Sequence, residues 1–217
     1  MKDIFNGVYK YRGEFYTKNM DPGEKVYGED TVKLDKLEYR YWDPNRSKLA
    51  AALKKGLKKL PLDKGSKVLY LGAAQGTTAS HISDIVEENG IVYCVEFSER
   101  AVRDLLDVCE RRVNMVPILS DARKPYEYEW IEKVDVIYQD VAQPDQIEIM
   151  KRNCSRFLKS GGWVMFAVKA RAMDVTKEPK EIYKEIESEL RESFGVVELM
   201  ELDPFEGDHC FVLARKP

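Results

Sequence analysis

Gly72 and Gly76 stand four residues apart in the run SKVLYLGAAQGTTASH, Ser66 to His81, where an apolar stretch gives way to a polar one. Glycines at such a junction let the chain turn tightly and bring its backbone against a ligand. Glu96 closes the next apolar stretch, IVYCVE, where a carboxylate can take both hydroxyls of a ribose. Asp121 follows the third, in LSDARKP, where an acid can face an adenine amine. Either acid alone is more often an ordinary loop residue. Together, at the ends of successive apolar runs, they predict an adenosine-containing cofactor, with Ala73, Phe97 and Ala122 as their neighbours in the site. The turn Gly72-Ala73-Ala74-Gln75-Gly76-Thr77 lacks the central glycine of the dinucleotide pattern and has no arginine for a pyrophosphate. S-adenosylmethionine carries no phosphate and suits this turn better. Its amino-acid end then falls to Gln75, Thr77, Thr78 and Gln143.

These residues need elements to carry them, and the chain supplies an alternation. Strands are expected at 67–71, 91–95, 114–119, 134–138, 163–168, 196–202 and 210–214. Helices are expected at 77–88, 99–112, 144–158 and 179–193, with a further one at 45–60 ended by Pro61. Strands separated by helices predict a mostly parallel seven-stranded sheet covered on both faces. The last two strands have no helix between them and predict an antiparallel hairpin at one edge. Residues 1–43 differ in rhythm, being tyrosine-rich and roughly alternating around the turn Asp21-Pro22-Gly23. They read as a small β-rich subdomain packed on the main domain, residues 44–217.

Composition narrows the function classes. The 217 residues are 44% hydrophobic and 34% charged, the balance of a globular chain rather than a disordered one. No apolar run reaches the ~18 residues of a membrane span, and the N-terminus has no secretory pattern, so a cytoplasmic protein is expected. Four cysteines without CxxC spacing and only two histidines argue against a zinc site, and no metal site is expected. His81, on the first helix after the glycine turn, reads as a packing residue. The net charge of −3 does not mark a nucleic-acid binder, yet Arg46, Lys48, Lys54, Lys55, Lys58 and Lys59 fall in one run without an acid. That run is either a solvated helix face or an RNA contact that depends on a partner for affinity.

The hairpin-edged seven-stranded sheet resembles the class I (Rossmann-like) methyltransferases, although Tyr70 stands where they often carry an acid before the first glycine. The segments GAAQGTTASHISDIV, VYCVEFSERAVRDLL, DARKP, DVAQPDQ and GDHC, in this order, resemble fibrillarin, the RNA 2′-O-methyltransferase family of box C/D ribonucleoproteins. The likeness covers nearly the whole chain and is to the short archaeal form. It implies a catalytic set of Lys48, Asp140, Lys169 and His209, with Asp140 also beside the cofactor. In that set Lys169 takes the ribose hydroxyl's proton, activated by Lys48 and by partial removal from water. Asp140 orients its ammonium, and His209 positions the ribose or relays the proton.

The resemblance further implies a box C/D guide RNA paired to target rRNA or tRNA, a Nop-domain scaffold protein and a kink-turn-binding ribosomal-type protein. No base-reading module is visible in the sequence, in keeping with selection by a guide. Arg46, Lys54, Lys55, Lys58, Arg123 and Arg171 are candidate contacts to the duplex backbone. Two other readings stay open. One is a metal-dependent small-molecule O-methyltransferase recruiting Asp121 and Asp145 beside Asp140. The other is a non-enzymatic ribonucleoprotein subunit that keeps a cofactor pocket.

Overall fold

A computed structural model describes residues 1–217. The tyrosine-rich N-terminal segment forms five strands, β1 (Lys2–Phe5), β2 (Val8–Tyr11), β3 (Glu14–Lys18), β4 (Thr31–Leu34) and β5 (Leu37–Tyr41). They make one antiparallel sheet in the order β1-β2-β3-β5-β4. Alternation turns Val8, Phe15 and Tyr39 inward, and Tyr9 packs edge-on against Tyr39 with ring centroids 5.0 Å apart.

The remainder carries α1 (Lys48–Lys54), β6 (Lys67–Leu71), α2 (Thr77–Val86), β7 (Ile91–Glu96), α3 (Glu99–Glu110), β8 (Met115–Leu119) and β9 (Val134–Gln139). It continues through α4 (Gln146–Phe157), β10 (Leu158–Lys169), α5 (Ala170–Met173), α6 (Pro179–Arg191), β11 (Gly195–Glu201) and β12 (His209–Arg215). The second sheet has seven strands in the order β11-β12-β10-β9-β6-β7-β8. Its pairings are parallel from β10 through β8, whereas β12 runs antiparallel to both β10 and β11. The expected sheet and its antiparallel edge are therefore both present. The strand order reverses between β6 and β9, and open sheets of this kind bind ligands at the carboxyl ends of the strands at that point. No helix is long and apolar enough to cross a membrane.

One face of the sheet is covered by α1, α2, α3 and the N-terminal sheet, the other by α4 and α6. Val8, Phe15 and Trp42 belong to the same apolar cluster as Val68, Met165 and Phe211, so the N-terminal sheet shares its core with the main one. A buried charge network crosses the same junction. Arg40 donates to Glu29 at 2.6 Å, Asp84 at 2.9 Å and Ser80 at 2.9 Å, and Arg112 reaches Asp84 at 2.6 Å. His81 lies within this network as a packing residue, stacked on Trp42 at 4.9 Å, its ring nitrogens 2.7 Å from Thr17 Oγ1 and 2.8 Å from Tyr27 Oη. Burial, aided by Arg40 and Arg112, pushes its pKa well below the ordinary value.

The helix expected at 45–60 is much shorter. Ser47 caps its start, and Gly56 leaves it at φ +96°, a conformation that ends helices. The leucines beyond, Leu57, Leu60 and Leu62, are buried in irregular chain against the shared core. The lysines that would have lined one helical face therefore do not share one. Further along, β10 begins directly at the end of α4, with an irregular register between Leu158 and Trp163.

Candidate active site

The cofactor side is built where β6 ends. Gly72 turns the chain at φ +82° while its N–H donates to Val95 O at 2.9 Å. A β-carbon here would meet the Asp140 carbonyl oxygen at 2.3 Å, so only glycine lets the ends of β6 and β9 lie this close. Gly76 begins α2 at φ +89° and packs under α3, where a β-carbon would stand 3.0 Å from Leu105 Cδ1. Glu96, 6% exposed, accepts the Ala74 N–H on one carboxylate oxygen and the Ser98 N–H on the other, each at 2.9 Å. Both oxygens are thereby fixed, with lone pairs remaining for two ligand hydroxyls.

A cavity of ≈ 170 Å³ opens beside them, lined among others by Gly72, Glu96, Phe97, Ala122, Asp140 and Gln143. Gln143 Oε1 is buried there without a hydrogen-bond partner. A carboxylate poised for a diol, an exposed aromatic at the rim and an unmet acceptor fit an adenosine with a polar substituent, and so fit S-adenosylmethionine. Asp121, between the lining residues Ser120 and Ala122, does not itself line the cavity, and its Oδ1 accepts the Arg123 N–H at 2.9 Å. Ala73, Gln75, Gly76, Thr77 and Thr78 do not line the cavity. Thr78 departs furthest from expectation: it is buried, and its hydroxyl donates to Ser47 Oγ at 2.9 Å.

That hydrogen bond leads to the candidate catalytic residues. Ser47 Oγ also accepts from Trp42 Nε1 at 3.0 Å and from the Ala50 N–H at 3.3 Å, which caps α1 and ties it to α2 and the N-terminal sheet. Lys48 is the first residue of α1, and its Nζ reaches Asp140 Oδ2 at 3.0 Å, with both side chains about one-fifth exposed. Asp140 itself follows β9, its N–H held by Leu71 O at 2.9 Å. The cation that Asp140 orients is thus Lys48, not Lys169 as expected, and Lys48's charge is directed to Asp140. Lys169 ends β10 with an exposed side chain, not partly removed from water as expected, and the antiparallel register places it opposite His209, the first residue of β12. His209 Nδ1 lies 2.6 Å from Gly207 O, so the neutral ring carries its hydrogen there and presents Nε2 as an acceptor. Lys48, Asp140, Lys169 and His209 all stand at the same end of the central sheet as the cavity.

The candidate RNA contacts are dispersed. Lys54 pairs with Glu14 at 2.6 Å and donates to Gly13 O at 2.9 Å, and Lys55 donates to Asp203 O at 2.8 Å. Arg46 lies over the Tyr27 ring at 5.9 Å, while Lys58 is exposed beyond the helix. Arg171 is held by Asp208 and by the carbonyls of Val175 and Lys177. Arg123 bonds both oxygens of Asp145 and stands 4.0 Å from Asp121. The acids that a metal-dependent reading would recruit therefore each face a cation, and no group of three metal-ligating side chains forms. Two residues that bond to the candidate site's elements carry little signal in sequence, Ser47 at the start of α1 and Gln146, whose side chain bonds the Lys169 backbone. The one signal for Ser47 is its capping residue type directly before Lys48, and for Gln146 its polarity in DVAQPDQ.

The fibrillarin family model matches residues 1–217. A fibrillarin-like rRNA/tRNA 2′-O-methyltransferase from Methanopyrus kandleri is 51% identical, covering 97% of this chain and 94% of that protein. The crystal structure of Aeropyrum pernix fibrillarin with natively bound S-adenosyl-L-methionine superposes with a TM-score of 0.85 at 49% identity, covering 93% of this chain and 88% of that one. Fibrillarin from a fibrillarin/Nop5p complex superposes with a TM-score of 0.91 at 44% identity, over 99% of this chain and 100% of that one. With its class I methyltransferase sheet, its glycine turn and its facing Lys48 and Asp140, the chain belongs to the fibrillarin family.

Proposed function

We propose that this chain is the catalytic subunit of a box C/D ribonucleoprotein and methylates ribose 2′-hydroxyls of rRNA and tRNA, with S-adenosylmethionine as donor. The observation that carries the reading is the convergence at the carboxyl end of the parallel strands of Glu96 with the Lys48–Asp140 pair and with Lys169 opposite His209. The sulfonium supplies an activated methyl group, so the protein's work is placement and removal of one proton. Glu96 holds the donor's ribose, and Gln143 and Asp140 line the cavity that receives the rest. In its neutral form Lys169 Nζ would take the proton of the 2′-hydroxyl, whose oxygen would take the methyl from the donor sulfonium and leave a neutral thioether. Asp140 accepts from Lys48 and keeps that ammonium beside the reacting centre, while His209, opposite Lys169 in the register, positions the target ribose or relays that proton onward through Nε2. A guide RNA, a Nop-domain scaffold and a kink-turn-binding protein choose the target nucleotide. The chain's net charge of −3 and its dispersed, largely paired basic residues favour such delegated selection.

The test is transfer of labelled methyl to a target RNA, with and without a box C/D guide and the two partner proteins. Label at one guide-specified 2′-oxygen, in the full assembly alone, is the expected result. Tight donor binding with no RNA label in any assembly would move the substrate to another class of molecule.

A further inference from the structure

Two glutamines lie fully buried at the carboxyl end of the central sheet, Gln139 as the last residue of β9 and Gln146 as the first of α4. A carboxamide in an apolar interior is costly unless its polar atoms are met. Gln146 meets both of its own on a single residue. Its Nε2 donates to Lys169 O at 3.0 Å and its Oε1 accepts the Lys169 N–H at 3.1 Å. The parallel pairing of β10 with β9 ends at Phe166, so no neighbouring strand is there to hold Lys169 on that side. The side chain of Gln146 takes the place of the missing strand. Gln139 Nε2 in turn donates to Gln146 O at 2.7 Å, and Asp140 is the next residue along the chain. A short polar path therefore runs from the backbone of Asp140 through both glutamines to the backbone of Lys169.

The same segment is unusual in another respect. Tyr138 Oη, Gln139 Oε1 and Gln143 Oε1, the buried side-chain atoms without a hydrogen-bond partner, all belong to residues 138–143 around Asp140. Unmet polarity in an otherwise satisfied interior calls for an explanation beyond packing. We infer that Gln146, steadied by Gln139, is a positioning residue that fixes Lys169 relative to Asp140 for methyl transfer. The inference rests on the activity proposed above and adds to it a component outside the catalytic set.

The test compares Gln146→Met, which keeps length and volume but neither hydrogen bond, with Asn114→Leu. Asn114 is another buried amide, clamping the carbonyls of Ser83 and Glu87 at 3.0 and 2.8 Å, away from the candidate site. Both variants are assembled with guide RNA and partner proteins. Single-turnover transfer is read at saturating donor, alongside donor affinity and melting temperature. Misplacement of a reacting group by about 1 Å can lower a rate by roughly a hundredfold. Gln146→Met is therefore expected to slow transfer about ten- to a hundredfold with donor affinity held within about twofold, and Gln146→Glu, which keeps the acceptor for the Lys169 N–H, to recover part of the rate. Asn114→Leu is expected to lower the melting temperature and leave the rate per folded molecule unchanged. Transfer by Gln146→Met at the unaltered rate, or an equal loss in Asn114→Leu, would overturn the inference alone. No transfer by the unaltered assembly would overturn the activity reading and this inference with it.

Discussion

Lys169 and Gly72 carry the sharpest consequences at the scale of single residues. If Lys169 removes the hydroxyl proton, arginine cannot replace it, because a guanidinium keeps its proton at any working pH. Lys169→Arg and Lys169→Ala are thus expected to slow transfer to similar extents, by about 10²–10⁴-fold, with donor affinity nearly unchanged. Substantial activity in Lys169→Arg would instead make Lys169 an electrostatic or hydrogen-bonding group. At Gly72 the contact is with backbone, 2.3 Å from where a β-carbon would stand, and backbone cannot swing aside as a side chain can. Gly72→Ala is expected to force the ends of β6 and β9 apart and to weaken donor binding by at least about tenfold, as titration calorimetry would read. An alanine variant with unaltered affinity would mean that the cavity tolerates that separation. Gly72, Glu96 and their order were legible in the sequence because a turn and a strand end leave a local pattern. The Lys48–Asp140 pair was not, since its partners come from distant elements and nothing local in either segment names the other. Resemblance supplied the four catalytic candidates, and only the structure showed which of them touch.

Among the elements, α1 matters out of proportion to its length. Seven residues form a marginal helix in isolation, so its placement depends on Ser47 and on the apolar contacts of Leu49 to Leu53. Ser47→Ala removes the cap and the acceptor shared by Trp42 and Thr78. The expected cost is about 0.5–2 kcal/mol of stability, seen as a lower denaturation midpoint, together with slower transfer because Lys48 sits at the loosened turn. Unchanged transfer in Ser47→Ala would show that Asp140 holds Lys48 without help from the cap. The alternation from β6 to β12 was legible because the buried strands read as short continuous apolar runs while the longer helices between them keep a helical period. The length of α1 was not. A run of alanine, leucine and lysine reads as helix on propensity, but burial of Leu57, Leu60 and Leu62 against the core outweighs that preference once Gly56 turns the chain.

For the molecule as a whole, pH acts mainly through the junction of the two sheets. His81 stays neutral when folded, because burial first and the two arginines second oppose its charging. Unfolded, it takes a proton below about pH 6.5. The unfolded state then binds more protons, so stability falls as the pH drops below that value. Glu29 and Glu38 add a second, more acidic limb. Burial alone would raise the Glu29 pKa, but Arg40 and the N–H groups of Tyr27 and Val26 prevail and lower it. The Gly23 N–H lowers that of Glu38. Their contribution is present above the ordinary carboxylate range, near pH 4.3 for glutamate, and is lost below it. The melting temperature is expected to decline in two steps on acidification, and His81→Gln to remove the first of them. A decline between about pH 6.5 and 5 that survives in His81→Gln would place the titrating group elsewhere.

Val8, Phe15 and Trp42 lie in one interior with Val68, Met165 and Phe211. A gene divided between codons 43 and 44 would therefore encode two fragments that each expose half of an unfinished interface. Neither should be well behaved alone, and co-expressed they should find each other as a split reporter does. Because Lys48 lies just past the cut, on the larger fragment, and Trp42 just before it, on the smaller, restored methyl transfer would register their reunion.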